Sequence, residues 1–171
     1  HGFEIFGHLI SDTPSTEAAG SVLEITEDYL IVSTNDFDMT LYLDRFQSLI
    51  DAVSENNKGK VAAVLKSNPF IIDENDKRGW TALIISSYNG YDDITDFLLD
   101  AGASPTKPNP RGTVPLMYAK EHALQTGNLH GLVTLLASGA DKTHKDIFRK
   151  TIYDYLDSES EYYQSVCDVL A

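Results

Sequence analysis

Five histidines, one cysteine, a pair of adjacent aspartates and a pair of adjacent serines are the residues of this 171-residue chain whose types could do chemistry. His1, His8, His122, His130 and His144 show no close pairing of metal-binding type, and His122 and His130 fall on different expected helices, so surface or capping roles are expected for them. Cys167 stands alone, so it can form no internal disulfide and cannot build a zinc site that needs four ligands. Its neighbours Val166, Val169 and Leu170 predict a buried, inert thiol on a helix. Asp92-Asp93 opens an expected helix, where carboxylates offset the helix dipole; that outweighs general acid–base work. Ser86-Ser87 has no histidine motif beside it, and small residues there let a second helix approach. The glycines sit in turns and never form a phosphate-cradling G-x-G-x-x-G or P-loop. "PTKPNP" at 105–110 has P-x-x-P spacing, which an SH3-type domain could read, but it falls where a connecting loop belongs. The expectation is therefore a chain with no catalytic residues, no cofactor and no metal.

Composition points the same way. Hydrophobic residues make up 42% and aromatics 10%, enough for a packed core and too apolar for a disordered chain. No apolar run approaches the ~18–20 residues of a membrane span, and no basic-start, apolar signal segment is visible. No membrane insertion and a cytoplasmic location are expected, with a targeting signal removed ahead of His1 as the alternative to the cytoplasm. The net charge of −13 is uneven: residues 1–48 carry −8, residues 49–153 are neutral, and residues 154–171 carry −5. That argues against direct nucleic-acid binding, which needs a basic face. It suits a basic protein partner, whose approach such a field accelerates.

The elements that would have to position any functional residue recur. "RGWTAL" at 78–83 returns as "RGTVPL" at 111–116, a spacing of 33 residues, and "LLDAGAS" at 98–104 returns as "LLASGAD" at 135–141, a spacing of 37. The four additional residues lie within "MYAKEHALQTG" and predict a longer first helix or a bulge. A third start is "RKTIYDYL" at 149–156, and "LIDAVSENNKGKVAAVLKSNP" at 49–69 is a weak earlier copy. Within one unit, Thr81 caps a helix with Leu83 and Ile84 on its apolar face, and Asn89-Gly90 ends it. A second helix over about 92–101 places Ile94, Phe97 and Leu98 on one face, and Gly102 stops it. Such a helix pair cannot bury its apolar face alone, whereas stacked copies can.

The period, the "DKRGWTAL" start and the "LLDAGA" finish resemble the ankyrin-repeat family over about residues 46–171. The resemblance implies a mainly α repeat solenoid over residues 45–171, with repeats at roughly 45–77, 78–110 and 111–147 and a C-terminal capping repeat at 148–171. The chain departs from the pattern at Arg149, which replaces the usual turn glycine, and at Ile84, Met117 and Asp154, which replace the usual histidine. Family members meet partner proteins through finger loops and inner helices. Carried over by position, the implied contact residues are Lys77, Arg78, Trp80, Tyr88 and Asn89, then Arg111 and Thr113 with Pro110 beside them, and finally Ile147, Phe148 and Lys150. Trp, Tyr and Arg are the types enriched at interface hot spots, and Trp80, the single tryptophan, is expected on a finger.

Residues 1–44 stand outside the repeats. "FEIFGHLIS", "SVLEITED", "YLIVSTND" and "DMTLYL" predict two to four short antiparallel strands, with a hairpin turn at 26–29 and a polar loop at 11–20. Asp44 is expected to cap the next helix with Gln47 at the capping-box position. A solenoid end is apolar unless covered, so the segment is expected to act as a cap. Two functions follow: a non-enzymatic protein-binding module working through the fingers, or an acidic inhibitor or immunity-type protein neutralising a basic enzyme or toxin through the charged ends. An enzyme sited in residues 1–44 is a third reading, with no paired catalytic residues behind it. The oligomeric state stays open.

Overall fold

The computed structural model describes the backbone of residues 3–5, 8–10, 22–25 and 30–32 and the whole of residues 48–171. The chain divides into two units, His1–Asp44 and Arg45–Ala171. In the first, β1 (Phe3–Ile5) pairs antiparallel with β2 (His8–Ile10), Phe3 opposite Ile10. Separately, β3 (Val22–Ile25) pairs antiparallel with β4 (Leu30–Val32), with an irregularity between Val22 and Glu24. The expected turn at 26–29, loop at 11–20 and Asp44–Gln47 cap lie outside the described residues.

The regular elements described in the second unit are helices joined by loops: α1 (48–54), α2 (Lys58–Ser67), α3 (Ala82–Asn89), α4 (Asp92–Asp100), α5 (Pro115–Thr126), α6 (His130–Ala137) and α7 (Tyr163–Leu170). Short 3-10 turns sit at Pro69–Ile71 and Ile152–Tyr155. Helix α3 begins at Thr81, whose hydroxyl accepts the Ile84 N–H at 3.2 Å, and ends at Gly90. Helix α4 starts with Asp92 and Asp93 in its first turn. It closes where Gly102 and Ala103 donate to the carbonyls of Leu99 and Leu98, and Gly139 and Ala140 repeat this on Leu136 and Leu135 at the end of α6.

Helices pack in register along the repeat. Helix α3 packs on α5, α4 on α6, and α5 on α7. The core is the row of residues the repeat brings round: Leu83 and Leu116 from the first helices, Ile94, Leu98, Leu132 and Leu135 from the second, all at most 1% exposed. Ile152, Val166 and Leu170 continue it into the C-terminal repeat. Ser86 and Ser87 are buried, and both hydroxyls donate to the Leu83 carbonyl, while the Thr95 hydroxyl reaches Ser86 at 2.9 Å. These hydroxyls are satisfied within the packed pair, which is how α3 tolerates two serines on a face that carries leucine and isoleucine.

The four additional residues of the second repeat lengthen its first helix, with 12 residues in α5 against 8 in α3. In the last repeat the first helix shrinks to the 3-10 turn Ile152–Tyr155, closed by a reciprocal Thr151–Asp154 capping box. Cys167 corrects an expectation: it lies on α7 as expected, but it is only half-buried, because Val166 and Leu170 take the inward face and turn the thiol toward Tyr163.

Candidate protein-binding surface

Three finger loops project between successive helix pairs, and each is built on one side chain. Asp76, Asn109 and Asp146 recur at the repeat spacing. Asp76 Oδ1 accepts the N–H groups of Arg78 and Trp80, both at 2.8 Å. Asn109 Oδ1 accepts those of Arg111 and Thr113 at 2.9 and 3.0 Å, and Asp146 Oδ1 those of Phe148 and Lys150 at 2.8 and 3.0 Å. A short acceptor on a two-atom stem can bridge its own backbone two and four residues on, which is why Asp or Asn is required. The backbone closes each loop across the same residues, Asp76 to Trp80, Asn109 to Thr113 and Asp146 to Lys150.

The second oxygen or nitrogen of each bridging side chain is held differently. Arg78 Nε and Nη2 donate to Asp76 Oδ2 at 2.9 and 2.8 Å. Asn109 Nδ2 donates to the Tyr118 hydroxyl at 2.9 Å, and burial pushes that phenol up, so it stays neutral. In the third finger the proton runs the other way: the Tyr155 hydroxyl donates to Asp146 Oδ2. Burial raises the Asp146 carboxyl, but Tyr155 and the two backbone N–H groups outweigh it and hold it below the usual range.

The fingers lean on one another. Gly112 has φ +74°, and a Cβ there would lie 2.9 Å from both Asp146 Cα and Ile147 N, so only glycine fits the turn and the neighbour together. A Cβ on Gly79 would meet the Pro110 ring. Arg149 holds the matching place in the last finger at φ +62°, with its side chain exposed. The Ile147 N–H donates to the Arg111 carbonyl at 3.1 Å, and His144 Nε2 donates to the Gly112 carbonyl at 2.8 Å. His144 thereby bridges repeats, although none of the copies has the usual histidine.

The expected contact residues divide into two groups. Lys77, Arg78, Arg111, Ile147, Phe148 and Lys150 are exposed on the fingers, Ile147 at 61% and Phe148 at 67%. Trp80 lies on the first finger as expected, where it packs against its neighbours. It is half-buried, with Tyr118 4.8 Å and Tyr88 5.5 Å away between ring centroids and the Arg78 guanidinium 4.8 Å over its ring. Tyr88 is exposed and completes the triad at 5.8 Å from Tyr118. Asn89 is exposed, but its amide donates to the Ile85 carbonyl at the end of α3. Thr113 is half-buried, and its N–H closes the second finger. Lys150 lies 5.1 Å from the ring of Tyr155.

Sequence reasoning passed over Tyr118 and Tyr155. The signal was present: Asn109 to Tyr118 and Asp146 to Tyr155 are both nine residues apart. It also passed over Lys120, which is 2% exposed and donates to the Tyr155 carbonyl at 2.8 Å and to Glu121 at 3.1 Å. Phe70, in the first 3-10 turn, is 85% exposed and was likewise not singled out. Among the described residues no group of three or more His, Cys, Asp or Glu is placed to hold a metal ion, and no helix is long and apolar enough to cross a membrane.

A model of ankyrin repeats matches residues 26–146 in three copies. A stretch of 51 residues, 30% of the chain, is 33% identical to part of the NAD-capped RNA hydrolase NUDT12 of Homo sapiens. The same holds for the proteins of that name from Pongo abelii and Macaca fascicularis. The matched stretch spans 11% of the length of these relatives.

Proposed function

Because the chain belongs to the ankyrin-repeat family, a family whose members generally serve protein–protein interaction, we propose that residues 45–171 are a non-enzymatic binding module that grips a partner protein with its fingers. The observation that carries this reading is the tip of the third finger. Ile147 and Phe148 stand in solvent on a loop whose N–H groups from Asp146 to Lys150 are all hydrogen-bonded, so their exposure is not the slack of an unfinished fold. Large apolar side chains held rigidly in water favour a partner that covers them, and rigid loops lose little entropy on binding. Arg111 adjoins them through the Ile147 N–H, and the Trp80–Tyr88–Tyr118 triad extends the surface to the first finger. Recognition of this kind is steric and chemical complementarity, with no turnover. The hydrolase activity in the relatives' names belongs to proteins of which this chain matches a small part.

The test is capture of a partner from native lysate by immobilised protein, with Phe148→Ala and Arg111→Ala in parallel and circular dichroism to show that both variants fold. Loss of at least about 1 kcal/mol of binding in each, the level of a contributing interface residue, is expected. A partner held equally by both variants would remove the fingers from the interface. The inhibitor reading has the −13 charge behind it and no geometry; it requires a basic partner released by salt and indifferent to both substitutions. Residues 1–44 are proposed as the cover of the first repeat, and their deletion is expected to lower the unfolding midpoint in urea.

A further inference from the structure

Granting finger-mediated binding, we propose that the fingers take an acidic segment of the partner protein, in which carboxylates alternate with apolar side chains. The finger segments 73–81, 104–114 and 141–151 hold eight of the chain's 13 Lys and Arg and only five of its 26 Asp and Glu. They are net +3 on a chain of −13. The acids there are largely occupied: Asp76 and Asp146 bind their own loop backbones, Asp73 accepts the Ser104 N–H, and Asp141 accepts from Thr143. Three bases are occupied too. Lys107 donates to the Asp73 carbonyl, Lys142 to the carbonyls of Leu170 and Ala171, and Arg78 to Asp76.

What remains is Lys77, Arg111, Lys145, Arg149 and Lys150, all exposed and without a carboxylate in ion-pair contact among the described residues. Lys145 and Lys150 also feel the charge of Asp154, and Lys150 sits over the Tyr155 ring, so Lys77, Arg111 and Arg149 are the least engaged. Exposed cations on preformed loops are receptors for carboxylate, Arg111 and Arg149 with the bidentate geometry that suits it. They are interleaved with Ile147 and Phe148, which need apolar cover. A polynucleotide fits less well. Its evenly dense charge calls for a continuous basic face, whereas here the cations come one finger at a time and the rest of the chain is strongly acidic.

The probe is a pair of labelled peptides of about 12 residues, roughly 40 Å when extended, one alternating Glu with Leu and Phe and the other carrying Lys for each Glu. Labelled poly-uridine is the third ligand. Anisotropy is read on the full chain at about 50 and about 200 mM salt, with the single tryptophan, Trp80, as a second reporter. The expected result is that the Glu peptide binds at least about tenfold more tightly than the Lys peptide, a difference of about 1.4 kcal/mol. Arg111→Glu with Lys150→Glu should reverse the preference, Arg111→Gln with Lys150→Gln should abolish it, and Lys66→Glu on α2 should leave it unchanged. Preference for the Lys peptide, for poly-uridine or for a second copy of this chain overturns the proposal, as does a preference that survives both double substitutions. If neither peptide binds while partner capture still depends on Arg111 and Phe148, the acidic segment is wrong and finger-mediated binding stands. If capture ignores both residues, the two fall together.

Discussion

At the residue scale, this unit is organised by three side chains that do the same job with different protons. Asn109 is neutral and donates to Tyr118, whereas Asp146 is ionised and accepts from Tyr155. Of these two, the third finger is therefore the acid-sensitive one. Asp146 is held below its ordinary value in the folded chain, so its contribution is present above the unfolded value near 3.8 and is lost as pH falls through the folded value. Asp146→Asn, which copies the second finger, should remove this part of the acid sensitivity while keeping the loop. Unfolding curves of the two proteins between neutral pH and about pH 3 should diverge; parallel curves would show that Asp146 does not titrate on unfolding. The glycine position gives a second prediction. Gly112→Ala should cost about 1–3 kcal/mol, because it adds backbone strain at φ +74° and a clash with Asp146. Arg149→Gly should gain up to about 1 kcal/mol, because it relieves the same strain where no clash exists. Urea denaturation of both variants reads the two signs, and a destabilised Arg149→Gly would mean that the arginine side chain contributes more than its backbone costs.

At the element scale, the repeats are stitched by side-chain pairs about one repeat apart, 36 and 34 residues in the two that tie α6 to α4. Asn128 Nδ2 donates to Asp92 at 2.7 Å, and His130 Nε2 meets both oxygens of Asp96 at 2.9 and 3.0 Å, so the start of α6 is tied to α4. The hydrogen bond to Asp96, helped by the charges of Asp96, Asp92 and Asp93, raises the His130 imidazole above its usual value. A raised folded value means that the tie is fully present below the unfolded value near 6.5 and fades as pH rises through the folded one. The pair is exposed, so the effect is small. His130→Gln should lower the melting temperature at about pH 6 and have little effect at about pH 8; an equal loss at both would mean that the tie does not depend on charge. The helices themselves were legible in the sequence. Thr81, Asn89-Gly90 and Gly102 set the ends of α3 and α4 by local chemistry, and the length of the insert set the extra turn of α5. Cys167 was misread for a related reason: its apolar neighbours are one and three residues along a helix, so they occupy the inward face themselves.

At the scale of the whole molecule, −13 charges on 171 residues set a field that opposes compaction, and only four ion pairs are formed among the described residues. Screening should therefore stabilise the fold. The melting temperature should rise from about 20 to about 300 mM sodium chloride as the Debye length shortens from roughly 20 Å to under 10 Å; a fall would mean that the few ion pairs outweigh the general repulsion. The repeat period, the family and the helical architecture of residues 45–171 were determined by the sequence alone, because caps, turn glycines and apolar spacing act within a few residues and recur at a fixed interval. The sequence also named the finger residues by position. Tertiary structure alone decided what each of them does. It packed Trp80 against Tyr118, left Ile147 and Phe148 in water, tied His144 to Gly112 and the Ile147 N–H to Arg111, and left Lys77 and Arg111 in no ion pair among the described residues. Those outcomes turn on which neighbours the stacking brings within a few ångströms, and residues a repeat apart carry no mark in the chain of having been brought together.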